Sequence, residues 1–81
     1  MKALIIDDER LARKELEELL SEYDQIEIAG EAVNADDARE KIERLKPELL
    51  FLDIQISGKN GFELLEPLAA VPAVLFTRAY D

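Results

Sequence analysis

Apolar positions along this chain switch repeatedly between two periods. Ala3-Leu4-Ile5-Ile6 and Leu49-Leu50-Phe51-Leu52 are short, unbroken apolar runs, as expected of strands buried on both faces. Ala12, Leu16, Leu19, Leu20 and Tyr23 instead recur at helical spacing, which predicts a helix over roughly Arg10 to Tyr23 with one apolar stripe against a core. From Ile26 through Ile28 to Val33, apolar residues alternate with Glu27 and Glu31, the pattern of a half-exposed edge strand. Asn34 is placed to cap a second helix, with Asp37 three residues on. Ala35, Ala38, Ile42 and Leu45 carry the apolar side of that helix, and Lys46-Pro47 ends it. A third strand follows from Leu49 to Ile54. The loop from Gln55 to Asn60 leads to a short helix marked by Phe62, Leu65 and Leu68, with Pro67 distorting its last turn. Pro72 then introduces a fourth strand, Ala73 to Thr77.

The order is βαβαβαβ, which predicts an α/β domain with a parallel sheet and right-handed crossovers. A flavodoxin-like, doubly wound sheet of order 2-1-3-4 places the alternating strand at the edge and the solid runs at the centre. Residues 1–81 then form one small domain, with no linker, repeat or low-complexity stretch. One conflict remains in the pattern. Ala73-Val74-Leu75-Phe76 reads as a central strand, yet the sequence stops just after it, and natural proteins avoid an exposed apolar edge.

Strand order brings candidate chemistry together. Asp7 and Asp8, with Glu9, follow the first apolar run, and Asp53 follows the third-strand run. In an open parallel sheet the carboxyl ends of neighbouring strands face one crevice, so Asp7, Asp8 and Asp53 should meet at one mouth. Three carboxylates about 5 Å apart repel by roughly 3 kcal/mol per pair at an effective dielectric near 20. Clustered oxygen ligands with room for water suit Mg²⁺. An acidic run after a strand is, taken alone, more often a solvated loop or a favourable helix N-terminus; Asp53 at the same sheet end shifts the balance to a site. Glu9 reads as a helix N-terminal charge or a rim residue, Asn60 as a cap, Lys59 as solvated. Gly58 and Gly61 are turn glycines whose spacing fits no phosphate-binding loop.

Composition narrows the classes. With 81 residues the chain is near the lower limit for a self-sufficient core. Its 19 acidic residues against 10 basic ones give a net charge of −9, which argues against nucleic acid or an anionic membrane as a direct partner. There is no cysteine and no histidine, which excludes disulfides, thiolate metal sites and histidine-based catalysis. The first residues are no signal peptide and no stretch is long enough to span a membrane, so the default location is cytoplasmic.

The segments LIIDDERLARKELEELL, IEIAGEAVNADDA, PELLFLDIQISGKNGFELLE and VLFTRAYD resemble the receiver domain of two-component response regulators, in particular the type that precedes LytTR DNA-binding domains. The resemblance runs along essentially all of the chain, and the combined spacing of DD, LDIQ and NGFELL is specific. It implies a regulatory phosphoacceptor rather than an enzyme, with a sensor histidine kinase or a small phosphoryl donor as its source of phosphate. Asp53 becomes the phosphoacceptor and Asp7 and Asp8 the pair holding Mg²⁺, one of them through water, while Gln55 supplies a backbone carbonyl to the metal. The chemistry stands on its own: Mg²⁺ neutralises phosphoryl oxygens while a nearby carboxylate attacks in line to form an acyl phosphate.

The chain also departs from the family pattern. It stops before the fourth helix, fifth strand and fifth helix, so the lysine that pairs with the phosphoryl group in the family has no counterpart. Arg78 stands where a Thr or Ser reads the phosphate, with Thr77 one residue off and hence on the opposite face of a strand. Ser57 replaces a loop proline, which should loosen the backbone nearby. The expectation is therefore a receiver in truncated form, completed as a homodimer through residues 71–81. Thr77 and Arg78 are its candidate phosphate-binding residues. The alternative is a non-phosphorylated interaction module that keeps the acidic pocket as a remnant and pairs with full-length regulators or a kinase. A third reading makes the 81 residues a fragment whose output domain, of LytTR type by resemblance alone, lies elsewhere.

Overall fold

The computed structural model describes residues 1–53 and 73–78, in which four strands and two helices alternate as the hydrophobic pattern requires. The elements are β1 (Lys2–Ile6), α1 (Arg10–Leu20), β2 (Glu27–Ala32), α2 (Ala35–Leu45), β3 (Leu49–Asp53) and β4 (Ala73–Arg78). The strands form one parallel sheet in the order β2-β1-β3-β4, the doubly wound order expected from placing the solid apolar runs at the centre. The short helix expected near Phe62 to Leu68 falls outside the described residues, as does the loop from Gln55 to Asn60.

The central position of β1 follows from its composition. Ala3, Leu4, Ile5 and Ile6 are all fully buried, and their side chains alternate between two cores. Leu4 and Ile6 join Leu50 and Leu52 of β3 and Ala35, Ala38 and Ile42 of α2 on one face of the sheet. Ala3 and Ile5 join Leu49, Phe51 and Leu20 on the other, with Leu16 of α1 packed against them. A one-residue slip of β1 would exchange the two sets, so its register is strongly specified. β2 is the half-exposed edge that its alternation predicts.

Helix ends show where local chemistry decided. Asn34 caps α2: its side-chain oxygen accepts from the Asp37 amide at 2.8 Å. The Asp37 carboxylate reaches back to the Val33 amide at 3.2 Å, a reciprocal arrangement akin to a capping box. Lys46 closes α2 in the left-handed conformation, φ 51°, immediately before Pro47, which cannot continue a helix. α1 is shorter than expected, ending at Leu20 and not Tyr23. The Ser21 hydroxyl donates to the Glu18 carbonyl at 2.6 Å, and the Tyr23 amide donates to the Leu20 carbonyl at 3.0 Å. The chain thus keeps coiling through a turn after the helix stops, which preserves the spacing of Tyr23. Leu19 and Tyr23 of the expected core stripe are in fact 56% and 51% exposed. Only Leu16 and Leu20 of that stripe reach the sheet-side cluster. No helix among the described residues is long and apolar enough to cross a membrane.

Candidate metal-binding acidic site

β1 and β3 are adjacent and parallel, with Ile6 level with Leu52. The residues that follow, Asp7 and Asp53, are therefore delivered side by side at the carboxyl end of the sheet. Both are buried, 6% and 4% exposed, whereas Asp8 is exposed. One carboxylate oxygen from each of Asp7, Asp8 and Asp53 lies within 4.8 Å of the others. The three residues singled out in the sequence are thus brought together, at a spacing that lets them share one cation.

Backbone contacts set this geometry. The Asp7 amide continues the β1–β2 ladder by donating to the Ala32 carbonyl at 3.0 Å. One carboxylate oxygen of Asp7 accepts from the Glu9 amide at 2.9 Å, which turns the chain out of the strand toward α1. Glu9 is the N-cap position of α1 and adopts an extended conformation without a side-chain cap. The amino end of α1 consequently points its partial positive charge toward the acidic loop.

A second layer of charge, not singled out in the sequence, lies behind the loop. The Arg13 guanidinium donates to the Asp7 carbonyl at 2.8 Å and to Glu31 Oε1 at 2.9 Å. Lys41 of α2 donates to the Glu31 carbonyl and forms an ion pair with Asp37 at 3.3 Å. Glu17, one turn after Arg13, shares a hydrogen bond with Glu31 and is repelled by its charge, which together raise the Glu17 carboxyl above 4.5. The signal for Arg13 was positional: it flanks the inward stripe of Ala12, Leu16 and Leu20, where a long cation reaches back over the first turn.

Arg78 is the register partner of Asp53, with Thr77 taken up by an irregularity between Leu52 and Asp53 that pairs Leu52 with Phe76. β4 is one residue longer than expected for that reason. Gln55, expected to offer a backbone carbonyl, lies outside the described residues. Chemically, three carboxylate oxygens at this spacing form a hard, anionic ligand set open on the Asp8 side, suited to a small divalent cation that keeps several waters.

Comparisons with known proteins bear on this arrangement. Residues 3–80 match the family model of the response regulator receiver domain. Among curated relatives, the whole chain is 52% identical over 83 residues to an uncharacterized response regulatory protein of Vibrio cholerae, covering 35% of that protein. It is 46% identical over 84 residues to the sensory transduction protein LytT of Bacillus anthracis, covering 34% of it. The chain thus spans about a third of the length of these relatives. Among solved structures, it is similar to the response regulatory domain of mrkE from Klebsiella pneumoniae. There the TM-score is 0.81 and the identity 33%, over 94% of this chain and 65% of that one. It is likewise similar to the response regulator domain of Thermotoga maritima CheB, with a TM-score of 0.75 and 29% identity over 80% of this chain and 48% of that one. With its parallel 2-1-3-4 sheet and its acidic residues gathered at the carboxyl ends of β1 and β3, this chain belongs to the response regulator receiver domain family.

Proposed function

We propose that the chain is a two-component phosphoacceptor, with Asp53 as the residue that takes the phosphoryl group and Asp7, Asp8 and Asp53 as the ligands of Mg²⁺. The observation that carries this reading is the approach of the three carboxylates to within 4.8 Å, two of them buried. At a separation of this order each pair repels by roughly 3 kcal/mol at an effective dielectric near 20, and a divalent cation converts that cost into binding. When bound, Mg²⁺ supplies neutralisation of charge on the phosphoryl oxygens.

Asp53 ends β3 and presents a carboxylate whose position is set by a strand paired on both sides. One of its oxygens attacks phosphorus, the bond to the donor breaks, and an acyl phosphate forms as the donor's imidazole or other leaving group departs. The donor is a sensor histidine kinase or a small phosphoryl compound. Gln55, outside the described residues, would contribute a backbone carbonyl to the metal, and Arg78, level with Asp53 in the sheet, would serve with Thr77 to hold the phosphoryl oxygens. The domain works in the cytoplasm as a regulatory acceptor rather than as an enzyme with turnover, and a net charge of −9 argues against direct contact with nucleic acid. Residues 71–81 form the face through which two copies associate. Support for that pairing comes from β4, which borders only β3 among the described strands and carries a half-exposed Leu75.

The test is incubation of the chain with a small phosphoryl donor, with and without Mg²⁺, followed by intact-mass measurement. One added phosphoryl per chain, dependent on Mg²⁺ and absent in Asp53→Asn, is the expected result. No adduct in a folded chain would move the function to the interaction-module reading, in which the acidic pocket is a remnant and the chain pairs with full-length regulators or a kinase.

A further inference from the structure

Arg13 fastens the loop carrying Asp7 and Asp8 from the side of α1. Arg13, one turn into α1, is only 14% exposed at its side chain. Its guanidinium donates in two directions, through Nη1 to the Asp7 carbonyl at 2.8 Å and through Nε to Glu31 Oε1 on β2 at 2.9 Å. Its own amide donates to the Glu9 carbonyl at 3.1 Å. The Asp7 carbonyl belongs to the planar peptide group that also contains the Asp8 nitrogen. Holding that plane fixes the backbone rotation after Asp7 and before Asp8, and so the relative aim of the two carboxylates.

We propose that Arg13 is a positioning residue for cation binding: it acts through the Asp7–Asp8 peptide and makes no contact with the cation. The inference rests on the Mg²⁺-binding reading above. Arginine suits the task because its planar fork can serve two acceptors at fixed mutual angles, which the single ammonium of lysine cannot. Glu31 anchors one arm of the fork, and Lys41, bonded to the Glu31 carbonyl, ties the anchor in turn to α2. Outer residues that orient metal ligands typically contribute about 10- to 100-fold in metal affinity.

The sign of the effect is the test. Removing a positive charge beside an acidic site tightens cation binding on Coulombic grounds alone, whereas loss of positioning weakens it. Calorimetric titration with Mg²⁺ alone, on the full chain, should give a dissociation constant about tenfold or more weaker in Arg13→Met than in the parent. Arg13→Lys should fall between the two. Circular dichroism and metal-free melting establish that each variant is folded. A role confined to holding the fold would lower the melting temperature and leave the Mg²⁺ constant unmoved, so an unchanged or tightened constant in folded Arg13→Met overturns the proposal. If Arg13→Met does not fold, Arg13→Lys decides: weaker binding supports positioning and parental affinity overturns it. A parent chain that binds no Mg²⁺ overturns the metal-binding reading itself, and the inference with it.

Discussion

Asp8 differs from its two partners in being exposed, and that difference can be measured. Asp8→Asn removes one charge from the cluster without opening a cavity, so the metal-free melting temperature should hold or rise. The rise on adding Mg²⁺ should shrink, because a ligand that binds the folded state stabilises it in proportion to the logarithm of its concentration over its dissociation constant. A thermal melt with and without Mg²⁺ checks both. Glu17 supplies a pH dependence. Its carboxyl is raised above 4.5, first by the hydrogen bond with Glu31 and then by that group's charge. The folded chain therefore holds a proton that the unfolded chain releases as pH climbs from 4.5 to the raised value. Stability from this group is present below that window and declines across it. Glu17→Gln should accordingly flatten the loss of stability as pH rises above 4.5, read as melting temperature against pH. Asp7, Asp8 and Asp53 were legible because each closes an apolar run or follows one directly. Arg13 was not, since a cation in a helix reads as solvated until the strand beside it is known to carry Glu31.

Elements were read best where a single physical cause sets a boundary. Asn34, followed by Asp37 at the third position, predicts a cap, and the cap is present with both bonds made. Asn34→Ala should cost about 1 kcal/mol, seen as a lower denaturant midpoint with unchanged slope. α1 ends three residues earlier than the spacing predicts because hydrophobic spacing continues through the turn at Ser21 to Tyr23, and periodicity cannot distinguish a helix from the coiled turn after it. The sheet held a subtler feature. β1 and β2 pair with an irregularity between Ala3 and Leu4, which brings Gly30 opposite Leu4. A methyl group at Gly30 would lie 3.1 Å from the end of Leu45 and 3.6 Å from that of Leu4. Gly30→Ala should therefore push the end of the Leu45 side chain aside by a few tenths of an ångström, and a melting temperature below the parent's would show that the packed core leaves it no room.

At the scale of the molecule, β1, β2 and β3 each line both cores on opposite faces of the sheet, and the clustered aspartates sit where β1 and β3 end. The strand order was legible because two solid runs must lie inside and one alternating run outside. The position of Arg78 opposite Asp53 was less so, because it depends on a register irregularity that no side-chain pattern announces. The proposed association through β4 should respond to Leu75, which is 54% exposed. Leu75→Lys should sediment more slowly than the parent at equal concentration, and equal sedimentation of both would exclude that face. β1 offers a reading of the whole. Its residues from Ala3 to Ile6 have no exposed surface, and the strand is bonded to neighbours along both edges. Its amides should therefore be among the slowest to exchange, with deuterium uptake governed by an opening close to global unfolding. The exchange rate of this one strand is therefore a clock for the folding equilibrium, readable under native conditions without denaturant, heat or a phosphoryl donor.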